Sequence, residues 1–191
     1  MMKEILTASK LDDEKRLKEI LSMTKTRLQD RFLSAGHSAA ALRAMSYKSP
    51  ISKFKDTTNG IEYYQNIREM EEHFDEKKEE IISGLKALSE LLFRKGNVMI
   101  SYTASREGLA VLEEEIGSLK EALYPERTPE SRCILHCEKK NEGFKTSGQV
   151  QYVAVAGNFR KAGFAYTGAL RILRTVLNYD YLWMNLRGKR R

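Results

Sequence analysis

Three histidines, two cysteines and an arginine close to the end of the chain are the residues that could do chemistry here. A helix-borne zinc-peptidase centre needs two histidines on one face and a carboxylate that activates water. The nearest approach is Glu69-Met70-Glu71-Glu72-His73, which offers one histidine among acids. His37, His73 and His136 lie far apart in sequence, so their spacing does not predict a three-ligand centre. His73 is expected as an exposed helix residue paired with Glu69 one turn away. Gly36-His37-Ser38 lacks the Gly-x-Ser-x-Gly elbow of a serine hydrolase, and the following Ala39, Ala40 and Ala41 suit close helix packing instead. The glycines at 157 and 163 lack the spacing and the Lys-Ser/Thr ending of a phosphate loop. Cys133 and Cys137 flank His136, but no second cluster completes a tetrahedral metal site, so two unpaired thiols are expected. Arg187 stands at the end of a helical pattern, where a cation complements the helix dipole.

The rest of the sequence must position these groups, and its bulk properties narrow the possibilities. The 191 residues suffice for one domain or two small ones with a real core, and 41% hydrophobic with 31% charged residues describes a globular chain. No run reaches about 18 consecutive apolar residues, which excludes a membrane-spanning helix. Residues 1–16 lack an apolar signal core with a small-residue cleavage site, and cytoplasmic residence is the resulting expectation. The net charge of +7 raises nucleic-acid binding, yet the basic residues interleave with acids, as in Asp12-Asp13-Glu14-Lys15-Arg16. Only Arg187 to Arg191 is densely basic, so nucleic acid is disfavoured as a partner.

Apolar spacing predicts a long helix starting near Ser9 or Asp12, with a stripe of Leu17, Leu21, Thr24, Leu28 and Phe32. The small-residue run 34–41 allows packing or a break. Leu42 and Met45 continue a helical pattern until Ser49-Pro50 stops it. A loop is expected through Thr57 to Gly60, then helices over Ile61 to Met70 and Asp75 to Arg94. Val98 to Thr103 reads as a short buried strand, and Ser105 opens a helix carrying Leu109, Leu112, Ile116, Leu119 and Leu123. Residues 124–148 hold prolines, glycines and charges with little periodicity, as a linker does. Val150 to Val155 reads as a strand rich in β-formers, and a helix follows from Thr167 to Arg187 with Leu170, Leu173, Leu177 and Leu182.

Buried strands need neighbours on both sides to satisfy their backbone groups. Two or three strands from two halves of the chain make an incomplete sheet. The fold expected is α+β, helix-rich and with an incomplete sheet, whose exposed strand edges favour a homo-oligomer.

Residues 141–187, an alternating strand and a helix leading to Arg187, resemble the opening of the last domain of the presequence-protease branch of the insulinase-like (M16, pitrilysin-type) zinc metallopeptidases. The runs Leu11 to Leu17 and Ser34 to Ala44, and Asn59-Gly60-Ile61 with Tyr63-Tyr64, resemble the inert third domain of that branch. The resemblance implies pieces of the family's LuxS/metallohydrolase-like α/β sandwich. Residues 1–124 would be the C-terminal part of the inert domain, 125–148 a linker and 149–191 the start of the last domain.

In the family, an arginine and a tyrosine from an Arg-Lys-Gly-Gly-Ala-Tyr type segment hold substrate at the zinc centre of the first domain. Arg187 aligns with that arginine; Arg190-Arg191 replaces the Gly-Gly pair, and the tyrosine would fall two residues beyond Arg191. The resemblance therefore implies a non-catalytic piece of a peptide-degrading enzyme, contributing chamber wall and one substrate contact. Such a chain carries no cofactor, with zinc belonging to the full-length family. Its partners would be a peptide substrate and the remaining domains or a zinc-bearing subunit. A helical scaffold that binds a macromolecule through the basic tail is the alternative from a different class.

Overall fold

The computed structural model describes residues 2–125 and 132–186, and the chain folds through helices. In order these are α1 (Met2–Thr7), α2 (Glu14–Ser34), α3 (Gly36–Ser46), α4 (Pro50–Asn59), α5 (Ile61–Glu72), α6 (Phe74–Leu92), α7 (Arg106–Ala122), α8 (Ala169–Val176) and α9 (Met184–Leu186). A 3-10 turn at Lys95–Asn97 follows α6, and a π-helical stretch at Leu177–Trp183 joins α8 to α9.

The expected sheet is absent from the described residues, so the fold is all-α rather than α+β. Residues 98–103 and 150–155 have no ladder partner among the described residues, and some of their apolar side chains face out: Val155 is 95% and Met99 is 94% exposed. A strand signal in sequence states only that a segment would fit a pleated surface. Without neighbours to accept its N–H groups it makes no sheet. Among the described residues the one β-type pairing lies elsewhere, a parallel bridge between Arg94 and Tyr124. There Lys95 N–H donates to Tyr124 O at 2.9 Å and Tyr124 N–H to Phe93 O at 3.1 Å, tying the end of α6 to the end of α7 beside buried Leu123.

Helix boundaries follow local chemistry. The cap of α2 is Asp13, whose Oδ1 accepts from Arg16 N–H at 3.0 Å, rather than Ser9 or Asp12. Ser9 instead turns back to donate to Ile5 O, at the end of a short helix α1 that the stripe did not announce. Pro50 stops α3 but also occupies the first turn of α4, where its missing N–H costs nothing. Residues 57–59, expected as loop, are the last turn of that helix.

The packed body is α2 through α5, with α2 against α5, α4 against both α3 and α5, and α6 continuing from α5. Its apolar centre is small: Leu21 and Leu28 from α2, Ile61 from α5 and Phe74 from α6. Phe32 meets Tyr64 edge-on with centroids 5.6 Å apart, and Lys25 pairs with Glu71 at 2.5 Å across the same helix pair. In α7 no residue is buried; of the apolar stripe, Leu109 is exposed, Leu112, Ile116 and Leu119 are half-buried, and Leu123, just past the helix, is buried.

Residues 132–168 run without regular secondary structure, and part of this length lies on α3. Tyr152 sits over Gly36, where a Cβ would come within 2.6 Å of its ring, and its centroid is 6.0 Å from that of His37. Asn158 donates through Nδ2 to Lys48 O at 3.1 Å. Gly163, with φ of 87°, closes a turn in which Gly163 N–H reaches Arg160 O.

Candidate functional site

The most structured polar cluster among the described residues centres on Arg43. It lies on α3, is 9% exposed, and faces the α4–α5 junction on one side and residues 142–144 on the other. Its Nη1 donates to Asp56 Oδ2 at 2.6 Å, while Nε and Nη2 donate to the two oxygens of Glu142 at 2.8 and 3.1 Å. This is a fork-to-fork arginine–carboxylate pair with a second carboxylate on the remaining arm. The guanidinium also lies 5.3 Å from the Tyr47 ring and 5.9 Å from the Phe144 ring.

Asp56 is fully buried and is satisfied from both sides. Its Oδ1 accepts from Ile61 N–H at 3.0 Å, which caps the first turn of α5. Gly60 makes that approach feasible: a Cβ there would collide with Asp56 Oδ1 and stand 2.7 Å from the Asp56 Cα. Glu62 extends the network, accepting from Lys53 Nζ at 2.7 and 2.6 Å and from Thr57 Oγ1 at 2.8 Å. Tyr47 donates its hydroxyl to Glu142.

The charges reinforce each other. Burial opposes the Arg43 charge, but the hydrogen bonds to Glu142 and Asp56 outweigh it and hold the guanidinium protonated more firmly than usual. The Arg43 hydrogen bonds draw the Glu142 carboxyl below its ordinary range, against the cost of burial. Burial works against the Glu62 carboxylate too, yet Lys53 and Thr57 hold it below the usual value. Burial and the bond to Glu142 push the Tyr47 phenol up to about 12. A set this mutually satisfied holds structure together; it offers no uncommitted base or nucleophile.

The structure does not bring the histidines together. His37 is on α3 beside Tyr152, His73 joins α5 to α6, and His136 is exposed in the irregular segment. The carboxylate beside His73 Nδ1 is that of Glu76, at 3.6 Å, rather than that of Glu69, which is taken by Lys77 at 2.5 Å. Glu69 contributes only its backbone oxygen, which accepts the His73 N–H. Among the described residues no three His, Cys, Asp or Glu side chains converge to hold a metal, so those present do not fit a zinc centre. Both thiols are free, Cys133 exposed and Cys137 half-buried. Arg187 lies outside the described residues. No helix among those described is long and apolar enough to cross a membrane.

Spacing alone missed the Arg43 cluster, because Glu142 joins Arg43 across 99 residues. The available local signal was Asp56 four residues before Gly60, an acid one turn ahead of a helix start.

The sequence is similar to those of known proteins. Residues 1–70 match the family model for the region associated with M16 peptidases of subfamily C. Similarity to curated proteins runs along nearly the whole chain. It is 32% identical over 189 residues to Protein HypA of Clostridium perfringens, covering 99% of this chain and 19% of that protein. It is 24% identical to Presequence protease 1, chloroplastic/mitochondrial, of Arabidopsis thaliana, covering 98% of this chain and 17% of that protein. The mitochondrial presequence protease of Yarrowia lipolytica is 22% identical, covering 99% and 19%. The chain thus spans less than a fifth of the length of these relatives.

Proposed function

Because this chain belongs to the presequence-protease-like branch of the M16 peptidases, we propose that it serves peptide degradation as a non-catalytic part. It supplies chamber wall and packing surface, and Arg187 contributes one substrate contact. The observation that carries this reading is the similarity to two presequence proteases along nearly the whole chain. The surface supports it. Four apolar residues of α6, α7 and the 169–186 region, Leu92, Val111, Ile172 and Trp183, are more than half exposed, as expected of faces that pack against further protein.

Zinc and the general base would come from other domains or another subunit, since the side chains described here do not assemble a metal site. The domain division at 124 and 149 belongs to the same proposal, as does association of copies through the unpaired segments at 98–103 and 150–155.

The test is a peptide-cleavage assay on the purified chain with zinc added. No chelator-sensitive turnover is expected alone, and turnover is expected in complex with a chain bearing the His-x-x-Glu-His motif. In that complex, Arg187→Gln should lower kcat/KM about tenfold or more, the loss of one charge-assisted substrate contact. Zinc-dependent cleavage by this chain alone would overturn the proposal.

A further inference from the structure

A second polar site lies along α2 and takes no part in the Arg43 cluster. An open cleft of about 670 Å³ lies between α2 and the α4–α5 junction, lined by Arg27, Leu28, Asp30, Arg31, Ser34, Asn59 and Tyr63. That volume accommodates a small organic ligand or one or two peptide residues.

The cleft has an unbalanced charge. Arg31 is anchored by donating to the side chain and the backbone oxygen of Asn59, both neutral acceptors, so no carboxylate neutralises it. The side chain of Arg27, one turn earlier on the same face, has no ion-pair or hydrogen-bond partner among the described residues, and neither has that of Asp30. Two guanidinium groups therefore share the cleft with one carboxylate, which leaves a net charge of one positive unit. The half-buried Tyr63 adds an aromatic wall beside them, over the buried Leu28.

We propose that this cleft binds a carboxylate flanked by an apolar side chain, as at the C-terminus of a peptide. Arg27 is the free fork and Arg31 the fixed one. A monoanion matches the net charge, whereas a phosphate dianion would be repelled by Asp30. The inference rests on the charge and shape of the cleft and is independent of the peptidase assignment.

The test uses the full chain and three probes, N-acetyl-leucine, N-acetyl-leucinamide and inorganic phosphate, followed by NMR shifts of Leu28 and Tyr63. N-acetyl-leucine should saturate these shifts, and the amide should bind at least about tenfold more weakly, the effect of losing one charged hydrogen-bonding group. Arg27→Gln should weaken N-acetyl-leucine by a similar factor, Arg27→Lys should restore part of it, and Arg16→Gln on the same helix should leave it unchanged. Equal binding of acid and amide, or unaltered binding by Arg27→Gln, would overturn the site. Phosphate binding as tightly as N-acetyl-leucine would overturn its assignment to a peptide carboxylate.

Discussion

Arg43 and Glu142 form a two-pronged ion pair, at 2.8 and 3.1 Å, that joins the third helix to an irregular segment 99 residues further on. The same guanidinium holds Asp56 at 2.6 Å, and Asp56 caps α5 through Ile61 N–H. One side chain thus connects α3, the α4–α5 junction and the later part of the chain. Removing it leaves a fully buried carboxylate with a single backbone donor. Arg43→Met is expected to destabilise the protein by about 3–5 kcal/mol, the range for breaking a buried pair from one side. The double variant Arg43→Met/Asp56→Leu should recover part of that loss in denaturant unfolding, because it removes the orphaned charge as well.

Acid should loosen the same connection. The folded-state values of Glu142 and Glu62 lie below those of an exposed glutamate, so both contribute stability that is fully present above the unfolded glutamate pKa of about 4.3. That contribution is lost as pH falls through the lower folded-state values. Cleavage within residues 141–158 by an acid-active protease, measured against the unfolded chain at the same pH, should therefore rise below about pH 4. Glu142→Gln should make the segment more readily cleaved already at neutral pH and flatten that pH dependence. Tyr47 has the opposite sign. With its phenol raised to about 12, its contribution is complete below the unfolded tyrosine value of about 10 and disappears as pH rises through about 12.

Part of the helical arrangement was legible in the sequence, but α1 and α4, the helix that carries Asp56, were not. The α2 stripe places Leu21 and Leu28 in the core, and Ser105 stands at the start of α7, as their spacing implies. Local patterns carry that information, because helix hydrogen bonds close within four residues. Val150 to Val155 has strand composition, but a strand also needs partners, and composition does not say whether they exist. The Arg43–Glu142 pair was invisible for a related reason: nothing in the residues near Arg43 selects one glutamate among many at long range. Arg187, which the family resemblance singles out, falls outside the described residues.

Two glycines under tertiary contact should respond differently to alanine. At Gly60 the new Cβ meets the Asp56 backbone, 2.7 Å from its Cα, as well as the capping oxygen. Backbone cannot yield cheaply, so Gly60→Ala is expected to cost about 1–3 kcal/mol, as overpacking does. At Gly36 the obstacle is the Tyr152 ring at 2.6 Å, which can swing aside. Gly36→Ala should leave the melting temperature of the helical body almost unchanged while increasing proteolysis around residue 152. A large loss of stability at Gly36, or none at Gly60, would contradict this division of roles.

The exposed segment around Val153 and Val155 should govern self-association. These side chains are 80% and 95% exposed, while Ala154, Ala156 and Asn158 between and after them are half-buried, so an unpaired stretch presents alternating apolar residues to solvent. An unpaired extended stretch of this composition can pair with another chain, and an inserted lysine blocks it through charge repulsion and desolvation. Sedimentation should show concentration-dependent assembly of the parent chain, and Val153→Lys should shift it toward monomer with unfolding midpoint unchanged, since Val153 contributes little to the core. A parent chain that stays monomeric across the micromolar to millimolar range would overturn this stretch as an association surface.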